Sequence, residues 1–193
     1  TVNDNDGLTS NSAAITITVS SSCTVTLIPD TNFEQALINQ NIDSDGIING
    51  QVCTSDINTI KDLAIEYNSI QDLTGIEGFS ALDTLECSHN NLTTLNVSQN
   101  TLLTALYCNN NNLSRINLSQ NNLLTKLEVW LNDITSLNIS QNPHIIWLDC
   151  RNNQLTCLNI KNGNNTNLIV FATWSNLGLF CIEVDSVPFM DDY

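Results

Sequence analysis

The sequence predicts a right-handed parallel-β solenoid of short nested coils, rich in β structure and closed at its N-terminal end by a short helix. Three observations predict it. Leu85, Leu106, Leu127 and Leu148 recur every 21 residues, and so do Asn90, Asn111, Asn132 and Asn153. The same spacing relates Leu95, Ile116, Leu137 and Leu158, and again Val97, Leu118, Ile139 and Ile160. Each unit also repeats within itself: Leu85-Glu86-Cys87-Ser88-His89-Asn90 is echoed by Leu95-Asn96-Val97-Ser98-Gln99-Asn100. A fixed period of this length marks stacked turns, none of which can bury its apolar side alone. Leu85 with Cys87, and Leu95 with Val97, keep the two-residue period of a strand. Each coil is therefore expected to give two strands. The stack should carry two parallel sheets, with neighbouring strands about 4.8 Å apart.

Composition bounds the function. The chain has 193 residues, 41% of them hydrophobic, enough for one continuous core. Five Lys+Arg stand against twenty Asp+Glu, a net charge of −15. A nucleic-acid surface needs cationic patches to displace counterions, and this chain cannot build one. No run of 18 apolar residues offers a membrane helix. The opening Thr1-Val2-Asn3-Asp4 is unlike a signal peptide and reads as mid-protein sequence, so a longer parent protein is expected.

The elements follow in order. Residues 1–20 hold a turn-forming Asp6-Gly7, then alternation at Ile15, Ile17 and Val19, the pattern of a hairpin; Ser20-Ser21-Ser22 reads as a linker. Residues 21–62 form the linker and N-terminal cap. There Thr31-x-x-Glu34 is a capping box, and Phe33 with Leu37 forms an apolar i,i+4 pair, giving a helix over 31–39. Residues 63–181 hold the coils: Leu63 starts one of 22 residues, and Ile169 and Cys181 are expected to keep the 21-residue spacing as a terminal coil. By that spacing Trp174 falls on the Asn153 register and Cys181 falls inward, equivalent to Ile160. Residues 182–193 are a C-terminal segment, read as a truncated cap.

The unit LxCxxNxLTxLNVSQN resembles the leucine-rich-repeat family, and the coil from Leu63 to Leu82 resembles its internalin type. The resemblance implies that Asn90, Asn111, Asn132 and Asn153 bury their amides against the turning backbone. The stretch Ile28-Pro29-Asp30-Thr31-Asn32-Phe33-Glu34 is similar to the N-terminal cap of leucine-rich-repeat proteins secreted by Bacteroidota. That likeness covers about residues 24–193 and implies a secreted or surface location, with type IX secretion as the implied route. Residues 1–20 look like the last hairpin of a polycystic-kidney-disease-type (PKD) immunoglobulin-like domain.

Seven cysteines are many for this length. Cys87, Cys108 and Cys150 share one inward register, with Val129 between, and read as a reduced packing ladder. Cys23 and Cys53 flank the cap and suit a disulfide in a secreted protein. A Cys157–Cys181 bridge is conceivable but poorly aligned at that spacing. With no CxxC and only His89 and His144, zinc is disfavoured. Asn41, Asp43 and Asp45, with Gly46 following, match the first half of a calcium-binding loop, and Asp56 can stand in for the missing glutamate. The competing reading is an Asp/Gly-rich turn. No other cofactor is expected.

Function is sought on the outward positions. Asn96, Asn117, Asn138 and Asn159 form a uniform polar ladder on the second strand. The first strand varies: Glu86, Tyr107, Glu128, Trp130, Trp147, Asp149 and Arg151 face outward, and exposed aromatics are enriched at recognition sites. Glu86, Glu128 and Asp149 share this face, yet open solenoid spacing supplies no pocket to raise one carboxyl's pKa for acid catalysis. No GxSxG, HExxH or phosphate loop occurs. The expectation is a non-enzymatic extracellular recognition or adhesion module of a bacterial surface protein. Its partner would be a protein or glycan, with chain-to-chain contacts as a further option. The rivals are a carbohydrate-binding accessory module, a structural spacer or filament subunit, and, remotely, an ice-binding face.

Overall fold

Leucines at 21-residue spacing are held together by backbone pairing, as the alternation requires. The computed structural model describes residues 23–185, so the hairpin expected at 1–20, the Ser20–Ser22 linker and most of segment 182–193 lie outside the described residues. The cap comprises β1 (Val25–Leu27) paired antiparallel with β2 (Gln51–Cys53), and helices α1 (Thr31–Asn39) and α2 (Thr54–Ile57). Six strands follow in one parallel sheet: β3 (Asp62–Ala64), β4 (Thr84–Glu86), β5 (Ala105–Tyr107), β6 (Lys126–Glu128), β8 (Trp147–Asp149) and β10 (Val170–Ala172). Leu63, Leu85, Leu106, Leu127 and Leu148 stand in register and are buried. The core is one column from Ile28 in the cap to Ile160.

The second sheet is smaller than expected. It has three strands, β7 (Ser136–Asn138), β9 (Cys157–Asn159) and β11 (Cys181–Glu183), all in the later coils. Around Leu95 and Ile116 the chain is extended but unpaired, and clefts of about 360 and 290 Å³ open between successive coils there. One reason lies in the coil before: where a partner strand would run, Gly75 turns the chain at φ 104° into a 3-10 turn over Ile76–Gly78. A side chain at Gly75 would meet Leu27 O at 2.4 Å, so the cap seats there only because glycine is present.

Side-chain amides take over part of the pairing. Asn111 Nδ2 donates to Cys87 O at 3.0 Å and Cys108 O at 3.1 Å, while its Oδ1 accepts from Leu92 N at 2.9 Å. Asn90, Asn132 and Asn153 do the same in their coils. The amide role implied by the resemblance thus holds at all four. A second buried ladder of Asn100, Asn121 and Asn142, to which the sequence reading gave no role, joins carbonyls of successive coils: Asn121 Nδ2 reaches Val97 O at 3.0 Å and Asn100 O at 2.9 Å. The uniform Asn96, Asn117, Asn138 and Asn159 do something more local. Each accepts the N–H two residues ahead in its own coil, an Asx turn.

Three further expectations are corrected. The cap helix starts on Asp30, not on a Thr31/Glu34 box: Asp30 Oδ1 accepts from Asn32 N and Phe33 N, and its Oδ2 accepts from Gln71 N and Asp72 N, tying cap to first coil. Glu34 is buried and accepts the N–H groups of Asn49, Gly50 and Gln51 instead. The last coils are longer than 21 residues. Phe171 pairs with Leu148 and Ile182 with Leu158, which leaves Ile169 exposed and puts Asn176 where Trp174 was expected, its Nδ2 on Cys150 O and Thr173 O. That lengthening also aligns Cys181 with Cys157, and the two form a disulfide, as do Cys23 and Cys53. Cys87, Cys108 and Cys150 remain free and buried. Burial pushes the Cys108 and Cys150 thiols up to about 12, so they pack as inert hydrophobes.

Removing the Asn111 amide orphans the buried Leu92 N–H and leaves Cys87 O and Cys108 O with one amide partner each, from Asn90 and Asn132. Asn111→Ala is expected to lose about 1–3 kcal/mol in urea unfolding. A change within error would show that the ladder does not hold the coils.

Candidate functional site

The candidate site is the outer face of the six-stranded sheet and the turn that follows each strand. That turn has a fixed geometry. The residue before each ladder asparagine takes a left-handed backbone: His89, Asn110, Leu131, Asn152 and Ser175, with Tyr67 in the first coil. The residue before that one points outward and forms a column: Glu66, Ser88, Asn109, Trp130, Arg151 and Trp174, aligned by N–H bonds such as Asn110 N to Trp130 O and Asn152 N to Trp174 O. Trp174 therefore stands beside Arg151, because its coil is longer than the ones before it.

Of the residues predicted from sequence, Tyr107, Glu128, Trp130, Trp147, Asp149 and Arg151 come together in two clasps. Lys126 Nζ lies 4.8 Å from the Tyr107 ring centroid and 4.3 Å from that of Trp147, and pairs with Glu128 Oε1 at 3.1 Å. Arg151 lies between Trp130 and Trp174, at 5.1 and 4.9 Å, with Nε 3.2 Å from Asp149 Oδ2. Trp130 Nε1 donates to Glu128 Oε2 at 3.3 Å, which links the clasps. Trp130 and Trp147 are half-buried, not fully exposed, and Trp174 is the open one at 57%. Tyr67 stacks on His89 with centroids 4.2 Å apart, and His89 meets the Trp130 ring edge-on. Glu86 lies apart from both clasps, in a cleft with Glu66 and Tyr67. Sequence reasoning missed Tyr67, His89, Lys126 and Trp174 as site residues. The 22-residue step from Tyr67 to His89 was a usable signal; the lengthened coil that brings in Trp174 was not.

Asp149 is the most enclosed carboxylate of the face, 7% exposed. Burial, first, pushes the Asp149 carboxyl above its ordinary range; the Arg151 N–H and guanidinium oppose this, and Glu128 adds to it. Glu128 and Asp149 are each paired with a cation.

The proposed calcium residues Asn41, Asp43 and Asp45 lie on one loop, with Asp56 beside it. Asn41 has φ 56° and Gly46 φ 67°, as a tight loop requires. The carboxylates, however, mostly cap their own backbone: Asp43 Oδ1 accepts Asp45 N, Asp45 Oδ1 accepts Ile47 N, and Asp56 Oδ2 accepts Ser44 N. Among the described residues no three acidic, histidine or cysteine groups converge as a metal would need. The backbone bonds of Asp43 and Asp45 are those of a turn, and Asp43 Oδ2 is buried with no partner among the described residues.

No known family profile matches the chain. Over 43 residues it is 49% identical to Internalin J of Listeria monocytogenes serotype 4b (strain F2365), a stretch that is 22% of this chain and 5% of that protein. The solved functional domain of InlJ from Listeria monocytogenes, described as including a cysteine ladder, superposes with TM-score 0.68 and 28% identity over 84% of this chain and 38% of that one.

The fold is an internalin-like leucine-rich repeat.

Internalin C2 of the same species (TM-score 0.54, 18% identity, 89% of this chain and 96% of that chain) and internalin InlF (0.51, 20%, 67% and 42%) share the fold. The chain spans well under half of InlJ. In this internalin-like chain the inward register of Cys87, Cys108 and Cys150 is interrupted at Val129. No helix among the described residues is long and apolar enough to cross a membrane.

The raised Asp149 carboxyl fixes a pH dependence. Stability from its protonated form is complete below the unfolded value of about 3.9 and is lost as pH rises through the higher folded value. Asp149→Asn removes that loss. In thermal melts the variant should gain on the parent as pH rises from about 4 to 7; a gain that shrinks with pH would contradict the assignment.

Proposed function

We propose that the chain is a non-enzymatic, extracellular recognition or adhesion module of a bacterial surface protein, and that it binds through the outer face of the six-stranded sheet. The observation that carries this is the pair of clasps. Three tryptophans, a tyrosine and two cations form a continuous surface on strands whose register is set by buried amides, so little ordering remains to oppose binding. Two disulfides support an oxidising compartment, and the internalin-like fold supports a surface setting. Division into a PKD-type hairpin at 1–20, a cap at 21–62 and repeats at 63–181 belongs to the same proposal, as do secretion and a Bacteroidota-type origin. The partner is a protein. A glycan is the second reading, favoured by the openness of Trp174.

The test uses a panel of immobilised matrix proteins and a glycan array, with parent chain, Trp130→Ala and Trp174→Ala. A protein ligand is expected whose binding weakens about tenfold or more in either variant at unchanged melting temperature. Selective glycan capture with the same dependence would favour the second reading. Binding indifferent to both tryptophans would remove this face from the function.

A further inference from the structure

The first three coils hold a cleft whose lining differs from the rest of the face, and what it could take deepens the recognition reading on which it rests. The cleft has a volume of about 290 Å³ and is lined by Glu66, Tyr67, Glu86, Ser88, Tyr107 and Asn109, with His89 beneath the Tyr67 ring. Two of these polar residues are deeply set: Ser88 is 8% exposed and Asn109 5%. Ser88 Oγ donates to Asn109 Oδ1 at 2.7 Å, and Asn109 Nδ2 donates to no atom among the described residues. Tyr67, by contrast, is 71% exposed.

The charge here is uncompensated. Lys126 pairs with Glu128 and Arg151 with Asp149, whereas among the described residues no cation pairs with Glu66 or Glu86. One coil further on, the molecule shows how this face accommodates a cation: Lys126 sits between the rings of Tyr107 and Trp147 with a carboxylate at its ammonium. The cleft holds similar parts, with Tyr67 and Tyr107 as rings, the second shared with Lys126, and Glu66 and Glu86 as carboxylates that have no cation paired with them among the described residues.

We propose that this cleft binds an arginine or lysine side chain of an extended protein segment. Glu66 and Glu86 pair with the cation, the tyrosine rings flank it, and Asn109 Nδ2 donates to a main-chain carbonyl of the same segment. A neutral sugar would leave two carboxylates uncompensated in a chain of net charge −15, so charge complementarity selects the basic segment.

The test is an NMR titration of ¹⁵N-labelled chain with acetyl-Gly-Arg-Gly-amide, its citrulline counterpart, and cellotetraose. The arginine peptide should shift the amides of Glu66, Glu86 and Asn109 saturably. Glu66→Gln/Glu86→Gln should weaken it about fivefold or more, as should added salt. Tyr67→Ala, at the most exposed position, should weaken it as well; neither change touches a buried group, and spectral dispersion checks the fold. Equal shifts with the citrulline peptide, unchanged affinity in the double glutamine variant, or cellotetraose binding at these amides without the arginine peptide would each overturn the proposal. Should the arginine peptide fail while tryptophan-dependent binding persists, this inference falls and the recognition reading stands.

Discussion

Each coil is fastened to the one before it by a buried asparagine amide. Asn90, Asn111, Asn132, Asn153 and Asn176 each give two N–H groups to carbonyls, one in their own coil and one in the coil before, and take back a backbone N–H on the oxygen. Unpaired, those buried groups would be costly. Paired, they force every coil to turn at the same place. The left-handed residue just before each asparagine and the outward residue before that inherit a fixed position. Even Leu131, which accepts φ 53° without glycine's freedom, conforms. The aromatic and charged columns of the outer face are thus consequences of an interior hydrogen-bonding requirement.

The opposite face obeys a weaker constraint. Asn100, Asn121 and Asn142 are fully buried and donate across coils, yet their oxygens find no partner among the described residues. Continuous strand pairing begins only with β7 and β9. A solenoid tightly paired on one side and loosely spaced on the other presents one ordered surface, and that is the surface where tryptophans and cations interlock.

Much of this was legible in sequence, because a repeat compares itself with itself. Identical spacing at Leu85, Leu106, Leu127 and Leu148 gave the sheet, and the contrast between uniform asparagines and variable first-strand positions located the face. What escaped was whatever broke the period. Two extra residues before Phe171 moved Trp174 from the ladder register to a place against Arg151, and three before Ile182 brought Cys181 to Cys157. Spacing alone cannot say where an insertion loops out. Asp30 outcompeted the Thr31/Glu34 box because Glu34 is engaged by three backbone N–H groups some fifteen residues on, a tertiary demand with no local signature. The clasps also combine residues one or two coils apart, visible only once the registers are stacked.

The six-stranded face is a fixed platform and the opposite face is not. Amide hydrogen exchange resolved to single residues tests it directly. The amides of Cys87, Cys108, Val129 and Cys150 bond to the next coil, whereas Leu95–Val97 and Ile116–Leu118 have no backbone acceptor among the described residues. Slow, concerted exchange at the first set and fast exchange at the second is the predicted result. Equal protection of both sets would contradict it.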